Sequence, residues 1–517
     1  MASPKCLTRT SYHHHLHQTN YLSPKVFSIS CSIINTKKNS IISSTCRNPK
    51  RTRRYEVIAN NNSSSTETKH ETYEGVEKKK KERRVRILIA GGGIGGLVLA
   101  LAAKERGFEV MVFEKNLSAI RGEGRYRGPI QLMSSALGVL MDIHMGVAEQ
   151  VMNAGCVTGD RMNGLVDGVS GDWLAKIDLL APAIKKGLPV TLVISRTTLQ
   201  EILLKAVGDH IVFNNSKVVE ISQDPHKVVA TLDDGRQFEG DILVGADGIW
   251  SEVRKKLFGT QEASYSGYTC YSGLVDYVPS YTNSIGYRVF LGRNQYFVAS
   301  DVGNGKMQWY AFHKEPQIGS GTLEDHAGKK VRLTKLFGSW CSDVTRLIAK
   351  TREEMILRRD IYDRDMIYSW GKGRVTLLGD AAHPLQPNLG LGGCLAIEDC
   401  HRLIHELESI KKSEYNAIKS IDIASALKRY EQKRMLRTMI THGVTRMASK
   451  SLSGYQSFTF LSAFRLPVQV SEFLQMVSSY FMTWLVAGEA DMLKKQDQQI
   501  EGQKQKVLLQ YNRKRYE

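Results

Sequence analysis

Residues 85–114 constrain the fold most strongly, because they combine two strand patterns, a glycine-rich turn and a helix pattern. The apolar run VRILIA predicts a buried strand, LVLALAAKERG a helix and EVMVFE a second strand. Gly91, Gly93 and Gly96 give the turn the spacing G-x-G-x-x-G, and Glu114 ends the second strand. In such a βαβ unit the glycines allow close backbone approach, the helix N-terminus meets a pyrophosphate, and the acid accepts hydrogen bonds from a ribose. The pattern therefore predicts a dinucleotide site, with FAD and NAD both open as the ligand.

A second segment places an acid at the end of another strand pattern. KVVATLDDGRQFEGDILVGADG predicts a hairpin that turns at Asp234 and Gly235 and continues into a buried strand. That strand ends at Asp247-Gly248, within GADGIWSEVRKKLFG. A strand-end Asp-Gly is by itself more often a plain turn than a binding site.

A third segment, GDAAHPLQPNLGLGG at residues 379–393, follows the strand pattern RVTLLG and precedes a helix pattern. Such a loop buries little apolar surface, which indicates that it is shaped to hold something. Asp380 can bind a ribityl hydroxyl, and the amides of residues 390–393 at a helix N-terminus can face the negative end of a reduced flavin ring. His383 is either catalytic or shapes the loop, and we favour the second role.

The net charge of +19 is concentrated at the start of the chain. Residues 1–55 contain no acid, ten basic residues and fifteen Ser or Thr, and without them the net charge is +9. A basic, hydroxyl-rich, acid-free leader is typical of an organelle transit peptide, and its serine density favours a plastid over a mitochondrion. A disordered basic arm is the alternative. Because about half of the net charge lies in this leader, we expect no nucleic-acid partner.

Composition divides the chain into five parts. We expect a transit peptide at about 1–55, a polar linker at 56–84, a core at 85–400, a helical region at 401–490 and a polar tail at 491–517. Within the core, YRVFL, QYFVAS and MQWYAF predict three successive strands of a second, mainly antiparallel sheet. The cysteines include no C-x-x-C pair, so no metal site is expected.

The three segments, in this order and spacing, resemble the flavoprotein aromatic hydroxylase and epoxidase family, the p-hydroxybenzoate hydroxylase-like monooxygenases. Phrases such as EKNLSAIRGEGRYRGPIQLMSSAL, YSGYTCYSGLVDY and YRVFLGRNQYFVASDVG narrow the resemblance to the plant members that epoxidise zeaxanthin. The resemblance implies an α/β (α+β) fold, in which a Rossmann-like FAD-binding domain is interleaved with a mainly antiparallel-sheet substrate domain and followed by C-terminal helices.

The resemblance and the three segments together give the expected site residues. The FAD site is expected to contain Gly91, Gly93, Ile94, Gly95, Gly96, Glu114, Lys115, Arg125, Arg127, Arg196, Asp247, Gly248, Gly379, Asp380, Pro387, Gly390, Leu391, Gly392 and Gly393. The substrate pocket is expected to contain Gly128, Pro129, Ile130, Gln131, Tyr296, Phe297, Trp309, Tyr310 and Pro384. Arg125 and Arg127 are alternatively surface charges, and any single aromatic residue is alternatively part of the core.

The implied activity is that of an FAD-dependent monooxygenase. It would insert one oxygen atom from O2 into an electron-rich ring alkene of a xanthophyll, such as zeaxanthin or antheraxanthin, through a flavin C4a-hydroperoxide. The protein would exclude water and aim the double bond, so no acid–base pair is expected. Electrons would come from NAD(P)H directly or from a separate reductase or ferredoxin-like chain.

Two alternatives stay open for the function. One is a diverged paralogue that epoxidises or hydroxylates another lipophilic plant metabolite. The other is a flavin- or carotenoid-binding protein without turnover.

Two departures from the plant epoxidases motivate these alternatives. Those enzymes usually continue into a forkhead-associated domain, whereas this sequence ends at Glu517 after a polar tail, so a form without that domain is expected. The loop also reads Gly390-Leu391-Gly392 where those enzymes have Gly-Gln-Gly. We expect Leu391 to lie beside the flavin ring and to alter turnover or product rather than FAD binding.

The expected location is a plastid, in the stroma or on the stromal face of the thylakoid. No apolar run reaches the roughly 18 residues that a membrane span needs. Residues 473–488, FLQMVSSYFMTWLVAG, either help to dock the protein on a membrane or form a buried helix.

Overall fold

The computed structural model describes residues 84–117, 128–317, 328–411, 420–453, 455, 481–486 and 488. The predicted leader, the polar tail, residues 473–480, Arg125 and Arg127 lie outside these residues.

The strands fall into two large and two small sheets. In chain order the strands are β1 (Arg86–Ala90), β2 (Glu109–Phe113), β3 (Ile130–Leu132), β4 (Cys156–Val157), β5 (Met162–Asp167), β6 (Trp173–Ile177), β7 (Leu192–Ile194), β8 (Val212–Phe213), β9 (Val218–Gln223), β10 (Val228–Leu232), β11 (Gln237–Gly240), β12 (Ile242–Gly245), β13 (Ser264–Val275), β14 (Ile285–Gly292), β15 (Gln295–Asp301), β16 (Met307–Lys314), β17 (Ile356–Asp363), β18 (Gly371–Lys372) and β19 (Val375–Leu377).

The helices connect and cover these sheets. They are α1 (Ile94–Glu105), α2 (Ser134–Ile143), α3 (Met145–Ala154), α4 (Leu180–Lys186), α5 (Arg196–Val207), α6 (Glu252–Phe258), α7 (Lys329–Phe337), α8 (Ser342–Lys350), α9 (Gly392–Lys411) and α10 (Ser420–Ser453).

The first large sheet has the strand order β18-β19-β12-β1-β2-β8. All of its strands are parallel except β18, which pairs with β19 in the antiparallel sense. Its central strands are almost completely buried, as expected for a parallel sheet covered on both faces. The helix α1 is apolar over nearly its whole length and is itself buried, so it belongs to the core rather than to the surface.

The second large sheet has the order β17-β13-β16-β15-β14-β5-β6 and is antiparallel except where β14 pairs with β5. Its strands lie between β12 and β18 in the sequence, or before β7, so the two large sheets are interleaved along the chain. Two three-stranded sheets complete the fold, with the orders β11-β10-β9 and β3-β7-β4.

The two faces of the seven-stranded sheet have different partners, because side chains alternate along a strand. One face packs on α7 and α8, where Phe290, Phe297 and Trp309 meet Phe337 and the apolar side of α8. The other face carries a separate cluster that includes Tyr296, Val298 and Phe312, and it is turned toward the functional site.

The predicted architecture is confirmed: the βαβ unit, the hairpin of β10 and β11, the three strands β14 to β16 and the C-terminal helices are all present. Of the helices in the described ranges, none is both long and apolar enough to cross a membrane. Residues 481–486 are helical, and Leu485 and Val486 are buried. Residues 481–486 of the segment 473–488 therefore pack against the rest of the protein. This agrees with the second of the two alternatives for the segment, a buried helix.

Candidate active site

A groove of about 570 Å³ runs along the carboxyl ends of the parallel strands. Four of the five parallel strands end at a predicted motif: β1 at Gly91, β2 at Glu114, β12 at Asp247 and β19 at Gly379. Parallel strands bring their carboxyl ends to one edge of a sheet, which is where ligands bind in such folds. Four segments that are distant in sequence therefore line one groove.

The glycine-rich turn is shaped by two close backbone approaches. Gly91 has φ +106°, and a Cβ there would lie 2.5 Å from the Ala246 carbonyl oxygen. A Cβ on Gly96 would lie 1.9 Å from the Gly91 carbonyl oxygen, so only glycine lets α1 start this close to the turn. At Gly93, by contrast, a Cβ would meet nothing within 4 Å, because this backbone faces the open groove at the N-terminus of α1. An anionic group can therefore approach the amides of the first helical turn.

Two acids flank this turn. Glu114 is buried, and its carboxylate accepts the amide hydrogens of Gly92 (2.7 Å) and Asn116 (2.9 Å) while it lines the groove. Asp247 accepts the amide hydrogens of Glu252 (2.8 Å) and Val253 (3.2 Å) at the start of α6 through Oδ2. Its Oδ1 is buried without a partner in the described part of the chain, and burial raises the pKa of this carboxyl group.

The Gly-Asp loop places a third acid at the far end of the groove. Gly379 has φ +60°, and the next residue, Asp380, projects its carboxylate into the groove, where it makes no hydrogen bond within the described residues. The Asp380 side chain is open to the groove, but the segments around it displace bulk water. This desolvation raises the pKa of the Asp380 carboxyl group. The nearby His383 and Arg196 act in the opposite direction and reduce the increase. Arg196 is the first residue of α5, a helix capped by the Ser195 hydroxyl, and it lines the groove opposite the loop.

A cluster of buried charges holds this loop in place. Asp399, on α9, accepts the amide hydrogen of Gly379 (3.0 Å) through Oδ2, which also lies 2.6 Å from Nε2 of His383. Its Oδ1 accepts from Arg434 Nε of α10 at 2.7 Å. Burial alone would raise the pKa of Asp399, but His383 and Arg434 lower it to about 2. His383 is almost fully buried and bonded to the loop's anchor, which agrees with a loop-shaping role.

A second cavity, of about 540 Å³, meets the groove at Arg196, Asp380, Gly392 and Gly393. We call this cavity the chamber. Its floor is the free face of the seven-stranded sheet, and its roof is formed by residues 128–131 and the loop 385–393. The lining residues from the sheet are Cys270, Ser272, Tyr287, Tyr296, Val298, Tyr310, Phe312, Arg359 and Ile361.

Most of the expected site residues line these two cavities. The groove is lined by Gly91, Gly93, Ile94, Gly95, Glu114, Lys115, Arg196, Asp247, Gly248, Gly379, Asp380, Gly392 and Gly393. The chamber is lined by Gly128, Pro129, Ile130, Gln131, Tyr296 and Tyr310, and also by Pro387 and Gly390, which we expected in the FAD site. Gly96 lies behind the turn and acts through packing.

Four expectations are corrected by the structure. Phe297 and Trp309 are fully buried on the opposite face of the sheet, where their rings stack at 5.4 Å and Trp309 Nε1 donates to Thr351 Oγ1. They alternate with Tyr296 and Tyr310, so neighbouring residues in one strand face opposite sides.

Pro384 and Leu391 are also buried rather than exposed to the site. Pro384 lies in the interior of the loop, and the Leu391 side chain belongs to the main hydrophobic core, with 4% of its surface exposed. The chain turns at Gly390, which has φ +65°, and this directs the next side chain inward. The expectation that the Leu391 side chain lies beside the ring was therefore wrong.

Sequence reasoning also missed several site residues. Phe312 lies two residues after Tyr310, and Val298 lies two residues after Tyr296. Because alternate residues of a strand face the same side, the strand pattern could have predicted both residues in the chamber. Asp399 and Arg434 are 35 residues apart on two helices, and their pairing has no local signature.

The comparisons with known proteins agree with this geometry. A family model described as "FAD binding domain" matches residues 84–295 and 328–438. The chain belongs to this family. FAD is accordingly its cofactor, and the groove has the features that FAD needs: an open helix N-terminus, a strand-end acid on each side and, at the far end, the Asp380 carboxylate, which has no hydrogen-bond partner among the described residues.

Curated relatives include plant proteins named "Zeaxanthin epoxidase, chloroplastic". The protein from an Oncidium hybrid cultivar is 51% identical over 92% of this chain and 72% of its own length. Those from Oryza sativa subsp. japonica and Arabidopsis thaliana are 55% and 53% identical over 80% and 78% of this chain. The chain spans 64% and 62% of their lengths, less than two thirds.

Solved structures share the fold. Klebsiella pneumoniae HpxO complexed with FAD and uric acid is 25% identical, with a TM-score of 0.62 over 82% of this chain and 97% of that one. A salicylate hydroxylase substrate complex is 18% identical, with a TM-score of 0.62 over 80% of this chain and 99% of that one.

We predict that Asp399→Asn lowers the free energy of unfolding by about 3 kcal/mol, because it removes one of the two carboxylates that neutralise the buried Arg434 charge and leaves only that of Glu398. Urea unfolding, followed by tryptophan fluorescence and by flavin release, measures the change. Asp365→Asn is the matched control, because Asp365 is exposed and pairs with Arg446 at the surface. That control should cost less than about 1 kcal/mol.

The deficit of the Asp399→Asn variant should also depend on pH. A carboxyl whose pKa is about 2 in the folded state and roughly 3.9 in the unfolded state stabilises fully above about pH 4, and this contribution falls as the pH drops toward 2. The difference between the variant and the wild type should therefore narrow in acid. A difference that stays constant from pH 7 to pH 2 would contradict the role of the Asp399 charge.

Proposed function

We propose that this chain is an FAD-dependent monooxygenase that epoxidises the ring double bond of a xanthophyll such as zeaxanthin. The observation that carries the proposal is the junction, at Asp380, Gly392 and Gly393, of an FAD groove with a chamber whose floor is made mainly of aromatic and aliphatic side chains. The relatives named zeaxanthin epoxidase support the choice of substrate. The proposal takes zeaxanthin to antheraxanthin and then to violaxanthin, with one oxygen atom of O2 entering each ring.

In this proposal each part of the groove holds one part of FAD. The amides at the start of α1, beside Gly93, face the pyrophosphate, and Glu114 accepts from the adenosine ribose. Asp380 accepts from the ribityl chain. The first amides of α9, at Gly392 and Gly393, have no acceptors within the helix and face the pyrimidine end of the ring.

Reduced FAD bound here would supply the two electrons that activate O2, of which one atom enters the alkene and the other leaves as water. The contribution of the chain is to position the substrate and to keep water out, and the chamber lining suits that task. Tyr296 and Tyr310 use their hydroxyls to hold the roof, donating to Asn388 Oδ1 and to the Pro129 carbonyl oxygen. Burial raises the pKa of the Cys270 thiol, which therefore stays neutral. The uncharged tyrosine and cysteine side chains of the floor would exclude water from an apolar ring bound against them, which favours transfer of oxygen to the alkene over loss of the oxidant to water.

The reductant and the location are part of the same proposal. We propose that electrons reach the flavin from NAD(P)H or from a reduced electron-transfer protein. The acid-free leader and the relatives named chloroplastic support a plastid location, on the stromal side, with peripheral contact to the membrane that dissolves the substrate.

Asp380→Ala should release flavin, because it removes a carboxylate that accepts from the ribityl chain inside the groove. The loss of one such partner costs about 1–3 kcal/mol, so FAD should bind roughly ten- to a hundredfold more weakly. The ratio of flavin absorbance to protein absorbance after gel filtration measures occupancy. Asp365→Ala serves as the control and should keep its flavin. Full retention in the Asp380 variant would remove the proposed role of the loop.

The activity itself is tested with the purified chain, zeaxanthin in lipid micelles, and either NADPH or reduced ferredoxin. We expect zeaxanthin to stimulate O2 consumption and to give mono- and diepoxides that carry label from ¹⁸O2. Unchanged zeaxanthin together with oxidation of another lipophilic alkene would favour the diverged paralogue. Reductant consumption that no lipophilic compound stimulates would favour a binding protein without turnover.

A fluorescent fusion of residues 1–80 tests the location. We expect fluorescence confined to plastids in leaf cells. The matched control replaces the ten Lys and Arg residues of positions 1–55 with Gln and should stay in the cytosol, because it removes the positive charge typical of a transit peptide. Cytosolic fluorescence of the unchanged fusion would overturn the plastid location and leave the enzymatic proposal untouched.

A further inference from the structure

Three of the described chamber residues are tyrosines, and two of them already have hydrogen-bond partners. Tyr296, on β15, donates to Asn388 Oδ1 at 2.6 Å. Tyr310, on β16, donates to the Pro129 carbonyl oxygen at 3.1 Å. Both bonds join the floor of the chamber to its roof. The hydroxyls of these two residues are therefore explained by the structure of the protein itself.

The third tyrosine, Tyr287 on β14, is different. Its side chain is half-buried, packs beside the cluster of Tyr296 and Val298, and lines the chamber. Its hydroxyl makes no hydrogen bond within the described residues, and burial is the single cause that raises the pKa of this phenol, to about 12. The group is therefore a neutral donor and acceptor. The Tyr287 side chain lines the chamber, so this hydroxyl is available to a ligand that enters there.

The order of the strands places Tyr287 relative to Tyr310. The chamber floor spans five neighbouring strands, β17-β13-β16-β15-β14, which corresponds to about 19 Å at the usual strand spacing. Tyr310 reaches the roof from β16, in the middle of the floor, and Tyr287 lies two strands away, roughly 10 Å. In register Tyr287 lies level with Gln308, two residues along β16 from Tyr310, so the two hydroxyls serve different parts of the floor.

Two other polar side chains of the floor also lack hydrogen-bond partners among the described residues. Ser272, on β13, has a short hydroxyl that stays close to the sheet. Arg359 lies on β17, the edge strand, where its guanidinium is exposed and remains hydrated. The Tyr287 side chain is longer than that of Ser272 and less exposed to water than that of Arg359. A hydrogen bond distinguishes most strongly between ligands with and without a hydroxyl where water cannot take the place of that hydroxyl.

We propose that the Tyr287 hydroxyl is the specificity-determining group of the chamber and hydrogen-bonds a hydroxyl on the substrate ring. This bond holds the ring with its double bond at the junction with the groove, and the rest of the substrate extends across the floor toward β17. The inference rests on the proposed function, because it takes epoxidation of a hydroxylated ring as the reaction.

The test uses a carotenoid with one hydroxylated and one plain ring, so that both rings compete within the same molecule. Wild type should epoxidise mainly the hydroxylated ring. Tyr287→Phe should reduce that preference about tenfold or more, the loss expected when one hydrogen bond in a sheltered site is removed. The ratio of the two monoepoxides is the readout, and it does not depend on the fraction of active enzyme. An unchanged ratio would overturn the proposal.

Three further variants serve as controls. Tyr281→Phe makes the same change at a half-buried tyrosine whose ring lies under the Arg288 guanidinium and which is not among the chamber lining residues, and it should keep the wild-type ratio. Ser272→Ala and Arg359→Gln remove the two rival groups and should also keep it. If either of these two variants abolishes the preference while Tyr287→Phe does not, the chamber recognises the ring hydroxyl through that residue and the proposal is wrong.

A binding measurement separates this inference from the proposed function. The probes are 3-hydroxy-β-ionone and β-ionone, which differ by one hydroxyl and leave the visible flavin spectrum free for titration. Tyr287→Phe should weaken binding of the hydroxylated probe about tenfold and leave binding of the plain probe unchanged. That result together with no turnover of any carotenoid would refute the proposed function alone. Equal affinities of wild type and variant for the hydroxylated probe would refute the inference alone.

Discussion

The position of the whole active site depends on one buried carboxylate, that of Asp399. A charge without solvent is tolerated only when its surroundings neutralise it, and here the Gly379 amide, His383 and Arg434 share that task. Two of these partners belong to the Gly-Asp loop and the third to α10. The requirement to neutralise one charge therefore decides where the loop turns, and with it where the Asp380 carboxylate projects.

The ion cluster extends beyond the loop. Glu398, the neighbour of Asp399, contacts Arg434 at 3.0 Å and accepts from Arg437 at 2.7 and 2.9 Å. Arg437 in turn donates to the Trp484 carbonyl oxygen and lies over the Trp484 ring. The same layer of charges thus anchors the helical residues 481–486 against α10. Buried ion pairs are weak contributors to stability when compared with apolar packing, so their value here is geometric.

The sequence was sufficient to predict the groove because each of its motifs follows a strand pattern, and parallel topology brings strand ends together. It was insufficient for the chamber, because assigning a strand residue to a face requires knowing what covers each face. Trp309 and Tyr310 are adjacent and similarly apolar, yet one packs on α7 and α8 and the other reaches the roof. The same limit applies to Leu391, whose inward direction follows from the left-handed backbone at Gly390 rather than from its own chemistry. Pairs such as Asp399 and Arg434 depend on how two helices meet, which no local pattern encodes.

Because groove and chamber share Arg196, Asp380, Gly392 and Gly393, a cofactor ring held at that boundary is also a wall of the chamber. The bound cofactor would thus complete the surface of the chamber that a substrate contacts. Any contact between the two ligands strengthens the binding of both by the same factor, since linkage is reciprocal. A favourable contact across this boundary would therefore couple the two ligands thermodynamically, so that a saturating second ligand would lower the equilibrium dissociation constant of the cofactor.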